Sequence, residues 1–129
     1  KDVSANTKAE LIATLERCTF EPPLGLAKIK SAEVTGEASV NNRKGKIFLI
    51  YDFEVKVKWE ACDGVNENES CKGSMKFGDV NATMLDDLDC EFTCKAGGTL
   101  ATAMRKQGVT TVKKCIESCM LRLQEEVRA

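Results

Sequence analysis

An α+β fold is expected from three observations: an elongated four-stranded antiparallel meander sheet, flanked by a short N-terminal helix and a long C-terminal helix. From Ile47 to Trp59 the odd positions are Ile47, Leu49, Tyr51, Phe53, Val55, Val57 and Trp59, and the even ones from Asp52 onward are Asp52, Glu54, Lys56 and Lys58. Such period-two alternation marks a strand with one buried and one wet face. Strand-like segments then follow one another without an intervening helix, which favours a meander. Finally, Met104, Gly108, Val112, Cys115, Cys119, Leu123 and Val127 recur at helical spacing, with Ile116 alongside, as the apolar stripe of a long helix.

The first helix is expected over residues 8–19. Thr7 and Glu10 form a capping-box pattern, in which hydroxyl and carboxylate satisfy backbone donors at the helix start. Leu11, Leu15 and Cys18 share a face, and Pro22-Pro23 forbids continuation. A strand from Leu26 to Val40 comes next, with a slip in phase. Ala27 and Ile29 share one parity and Val34, Gly36, Ala38 and Val40 the other, so a β-bulge is expected between Lys30 and Glu33.

The run Asn41-Asn42-Arg43-Lys44-Gly45-Lys46 is then a hairpin loop, with three cations and a glycine between two strands. The strand beyond it, Ile47 to Trp59, would be roughly 40 Å long at ~3.3 Å per residue. That places the loop at one end of a rod-like body. Asp63 to Ser70 reads as a polar loop, Cys71 to Phe77 as a third strand and Leu88 to Lys95 as a fourth. Gly97-Gly98 ends the sheet, and Thr99 is a candidate helix cap. Gly108 costs ~1 kcal/mol against alanine inside a helix, so a kink or break is expected there.

Composition bounds the function. A chain of 129 residues, 43% hydrophobic and 30% charged, describes one globular domain able to bury a core without staples. A net charge of -1 argues against a general nucleic-acid binder. No apolar run approaches the ~18 residues of a membrane span, and a cytoplasmic location is expected. The cysteines, Cys18, Cys62, Cys71, Cys90, Cys94, Cys115 and Cys119, are odd in number. They are expected to be reduced, with Cys90, Cys94, Cys115 and Cys119 on buried apolar faces, where a thiol packs as a small hydrophobe. A zinc site from Cys62, Cys71 and a further pair lacks both ligand spacing and histidine.

The absence of histidine also removes Ser-His and Cys-His pairs, so no catalytic residue is assigned. Asp86, Asp87, Asp89 and Glu91 do not match a calcium loop and read as an acidic turn leading into a strand. No Gly-x-Gly-x-x-Gly or Walker loop is present, and neither a cofactor nor a metal is expected.

The segments Ile29-Lys30-Ser31 and Gly36 to Lys46, followed by an apolar strand with Tyr51-Asp52-Phe53, carry a family resemblance. Together with the late helix preceded by Met104-Arg105-Lys106-Gln107-Gly108-Val109, they resemble the amino-terminal domain of the activators of the heat-shock protein 90 (Hsp90) ATPase. The resemblance implies a non-enzymatic, monomeric co-chaperone that binds the middle segment of Hsp90 and stimulates its ATPase. It further implies that residues 1–129 are a single activator-type domain excised from a longer two-domain protein.

On composition alone, Asn41, Asn42, Arg43, Lys44, Gly45 and Lys46 suit a solvated turn that discourages edge pairing. The resemblance makes them the partner-binding element. Arg43 would clamp a carboxylate or phosphate, and Lys44 and Lys46 would act as point charges. Strand parity supplies a second set, Lys28, Lys30, Lys56, Lys58, Lys72 and Lys76, on the face opposite Tyr51 and Trp59. Glu33, Glu37, Asp52, Glu54, Asp89 and Glu91 share that face, so a neutralised surface competes with a basic stripe for an acidic partner. The reading from a different class is a carrier enclosing a small apolar ligand between helix and sheet.

Overall fold

The computed structural model describes residues 1–20, 27–62, 70–94 and 98–128. Its elements are α1 (Ser4–Glu16), β1 (Lys28–Arg43), β2 (Lys46–Cys62), β3 (Ser70–Asn81), β4 (Cys90–Cys94), α2 (Thr99–Ala103), a π-helical turn (Met104–Gly108) and α3 (Val109–Arg128). The strands form one antiparallel sheet in the order β1-β2-β3-β4, the expected meander. Pro22-Pro23, Leu26, the segment 63–69, Lys95 and Gly97 lie outside the described residues.

Helix α1 starts ahead of the expected capping box and stops at Glu16 instead of residue 19. Thr7 is 3% exposed inside the helix and caps nothing. Asp2 does that work: its carboxylate accepts the Ser4 N–H at 2.8 Å and the Ser4 hydroxyl at 2.6 Å. The hydroxyl bond, then the backbone one, hold the Asp2 carboxyl below its usual range. Ser4 Oγ also accepts the Ala38 N–H of β1 at 2.9 Å. A tertiary anchor to the sheet thus overrode the local pattern.

The bulge in β1 falls at Lys30. Ile29 pairs with Trp59 and Ser31 with Lys58, which leaves Lys30 as the extra residue. Ala27 and Ile29 are buried before it, and Val34 and Ala38 after it, so one apolar face survives the change of parity. A second bulge, outside the sequence expectation, lies in β3: Gly78 and Asp79, the latter at φ +51°, stand opposite Glu54 between the Phe53–Val80 and Val55–Phe77 pairs.

The inner sheet face carries Leu49, Tyr51, Phe53, Val55, Val57 and Trp59, all at most 5% exposed. Leu11 and Leu15 of α1 and Val112, Ile116 and Met120 of α3, each 0% exposed, belong to the same core. Each such side chain contributes roughly 1.5–3 kcal/mol through burial. Ile47 departs from the expected buried set at 38% exposure.

Gly108 closes the π-helical turn, which is the expected irregularity. A Cβ there would stand 2.6 Å from the sulfur of Met104, itself fully buried. Thr99 is the first residue of α2 and makes no capping bond; Gly98, at φ +117°, precedes it. Strand β4 is shorter than expected and lies at the sheet edge, so Cys90 and Cys94 are half-buried. Cys115 is half-buried as well, and of the four cysteines expected on buried faces Cys119 alone is fully buried.

Candidate functional site

The hairpin turn consists of Lys44 and Gly45, at φ +53° and +82°. Positive φ at both central residues is the two-residue geometry that matches strand twist, and Asn-Gly is its favoured pair. Asn41, Asn42 and Arg43 therefore belong to β1 and Lys46 to β2, rather than to an open loop. Asn42 Oδ1 accepts the Gly45 N–H at 3.1 Å and fixes the turn. Lysine at position 44 brings a Cβ penalty of roughly 1–2 kcal/mol in the left-handed region.

Register sets what the tip presents. Arg43 stands opposite Lys46, Asn41 opposite Phe48, Ser39 opposite Ile50 and Glu37 opposite Asp52. Strand parity puts all eight on the outer face. The ladder thus runs from a basic pair through Phe48 and Ile50 to an acidic pair, about 20 Å away at the rise of a strand. Like charges directly opposite one another are destabilising. Among the described residues none of Arg43, Lys44 and Lys46 makes an ion pair.

Ile50 is 48% exposed. Phe48 and Ile50 are not among the residues expected at the site, although the sequence carries a signal for them: the even positions of β2 become polar only from Asp52 onward.

Helix α3 supports the projecting hairpin. Strand β3 pairs with β2 only as far as Asp52, leaving the β2 edge open towards the tip. There Gln124 takes the place of a neighbouring strand. Its Oε1 accepts the Leu49 N–H at 2.7 Å, and its Nε2 donates to the Leu49 carbonyl at 3.2 Å. The Arg128 guanidinium sits 5.9 Å from the centre of the Phe48 ring.

The second lysine set divides. Lys30, Lys56, Lys58 and Lys72 border a hollow of about 540 Å³ with Ser74 and Thr93, where Glu60, 3.4 Å from Lys30, is the one acid among the described residues. Lys58 is flanked across the strands by Ser31 and Ser74, without a carboxylate in its row. Lys76 is taken up by Glu54 at 3.0 Å, which raises its pKa. Lys28 lies opposite Glu60 in register and does not line the hollow.

Among the described residues no three of Cys, Asp and Glu come together as metal ligands, and no helix is long and apolar enough to cross a membrane.

This arrangement defines a class: α+β domains in which helices cover one face of an antiparallel meander. Solved structures that share the fold include the following two. Aha-1 from Plasmodium falciparum superposes with a TM-score of 0.80 at 17% identity, covering 98% of this chain and 88% of that one. The human Aha1 N-terminal domain gives 0.71 at 21% identity, covering 98% and 96%.

The chain matches the family "Activator of Hsp90 ATPase, N-terminal" over residues 1–127, and it belongs to that family. Curated relatives include "Activator of 90 kDa heat shock protein ATPase homolog 2" from Mus musculus, 26% identical over 98% of this chain, and its Bos taurus counterpart, 25% identical over 98%. The chain spans 39% and 50% of the length of these two relatives.

Proposed function

We propose that this chain is one domain of a longer co-chaperone, a cytoplasmic monomer that binds the middle segment of Hsp90 and stimulates its ATPase. Family membership supports the partner, and the hairpin tip supports the mode. The observation that carries the reading is the meeting of like charges at the tip. Arg43 and Lys46 face each other with no ion pair to either among the described residues, and the turn between them holds lysine where asparagine would relieve the backbone. Such local costs persist where a residue serves something outside the fold.

The outer ladder then offers a partner three chemistries in sequence: Arg43, Lys44 and Lys46 for carboxylates, Phe48 and Ile50 for an apolar patch, Glu37 and Asp52 for a cation. The lysine-lined hollow is a secondary contact for acidic side chains. Stimulation arises by differential binding: contacts made better with the ATPase-competent arrangement, its catalytic loop released, shift the chaperone towards it. The carrier reading needs a cavity between helices and sheet. Phe53, Phe77, Met75, Met104, Ile116 and Met120, each at most 2% exposed, fill that layer and argue against it.

Calorimetric titration of the domain into the isolated Hsp90 middle segment tests the reading. Saturable one-to-one binding is expected, weaker at higher salt, because the reach of a surface cation shrinks with a Debye length of ~8 Å at physiological ionic strength. Absence of binding at low salt would contradict it.

A further inference from the structure

Helices α1 and α3 meet along a seam whose contacts step one helical turn at a time. Glu10 accepts from Arg122 at 3.3 Å, the Thr14 hydroxyl lies 3.5 Å from Cys119 Sγ, and Cys18 Sγ lies 3.0 Å from Cys115 Sγ. The last contact is about 1 Å longer than a disulfide bond. Cys18 follows the end of α1, held by its N–H to the Leu15 carbonyl at 3.1 Å, and Cys115 sits on α3.

The two sulfurs differ in environment. Cys18 is 8% exposed and Cys115 half-buried, so an incoming reagent meets Cys115 first. The hydrogen bond from the Cys18 thiol pulls the Cys115 thiol down to about 7, while that bond and then burial push Cys18 up. Cys115 is thus the sulfur of the pair that ionises first, with the proton retained on Cys18. A thiolate whose pKa lies near ambient pH is well placed to attack a disulfide.

We propose that Cys18 and Cys115 form an oxidative modification site, closed to an intramolecular disulfide by low-molecular-weight disulfides of the glutathione class. The Cys115 thiolate attacks one sulfur of glutathione disulfide and forms a mixed disulfide, expelling one glutathione thiolate. Cys18 loses its proton to solvent and attacks the Cys115 sulfur, expelling the second. The protein gives up two electrons and two protons, and the reagent leaves as two glutathione molecules. The closed bond ties α1 to α3 across 97 residues of sequence. This inference rests on the seam alone and is independent of the partner reading.

The test treats the purified chain with glutathione disulfide at neutral pH, blocks residual thiols with N-ethylmaleimide and maps tryptic peptides without reductant. Peptide 18–28 is expected joined to peptide 115–122, with the linkage retained in Cys119→Ser, because peptide 115–122 carries both Cys115 and Cys119. The melting temperature of the oxidised chain should rise by about 5 °C or more and return on reduction, as closure of so long a loop restricts the unfolded chain. In Cys18→Ser, a glutathione adduct should persist on Cys115. Recovery of Cys18 and Cys115 as separate alkylated peptides, or linkage of Cys18 to any other cysteine, would overturn the proposal.

Discussion

At position 36 the backbone takes φ +126°, and a Cβ built there would overlap the Asp52 carbonyl oxygen of the paired strand. Gly36→Ala is therefore expected to combine backbone strain with overpacking, on the order of 3 kcal/mol, read as a fall of roughly 10 °C in melting temperature. At Gly45, also at positive φ, a Cβ meets nothing within 4 Å, so alanine there should cost only about 1 kcal/mol. Comparable losses at the two sites would contradict the packing described at Gly36.

The single tyrosine allows a second test at this scale. Tyr51 is 5% exposed against the Phe53 ring, and burial pushes its phenol up to about 12. The fold thus favours the protonated form. Stability from Tyr51 should be intact below about pH 10, the ordinary tyrosine value, and decline as pH rises towards 12. Phenolate absorbance of the native protein should appear near pH 12, and near 10 in denaturant. A native titration at 10 would place Tyr51 in water.

At the scale of elements, Gln124 connects α3 to the hairpin through two bonds to Leu49. Gln124→Ala should cost about 1–2 kcal/mol, since the freed backbone groups regain water at an open edge. It should also speed amide exchange at Leu49 more than at Val57 in the sheet interior. Equal acceleration at both would mean that the edge is held otherwise.

The elements also show where sequence was legible. Strand β2 and helix α3 were plain because their apolar residues repeat at the period of the structure over many residues. The bulge at Lys30 could be read because parity changed on either side of it. The bulge at Gly78-Asp79 falls beyond Phe77, where the apolar alternation that marked β3 had ended. The start of α1 depends on Asp2, Ser4 and the Ala38 backbone, a contact between segments far apart in sequence. The tip was legible as a basic turn from its composition, but its two-residue geometry and the facing of Arg43 and Lys46 depend on register. The convergence of Lys30, Lys56, Lys58 and Lys72 required three strands to be aligned, whereas parity gave only their common face.

At the scale of the whole molecule, core and tip are separable. The core lies between the inner sheet face and the helices, and the cations of the tip are exposed and stand outside it. Arg43, Lys44 and Lys46 are expected to act on the partner and not on the fold. Exposed charges of this kind contribute ~0.2 to 1 kcal/mol to stability, whereas charges desolvated at an interface couple more strongly. Relief of the Arg43–Lys46 repulsion should leave the melting temperature of Arg43→Ala/Lys44→Ala/Lys46→Ala unchanged or slightly higher. The direct measurement is Hsp90 ATP turnover with saturating parent domain and with this triple variant. Stimulation by the parent is expected, with loss of most of it, tenfold or so, for a variant that melts normally, as removal of about 1.4 kcal/mol of coupling requires. Equal stimulation by the two would contradict it.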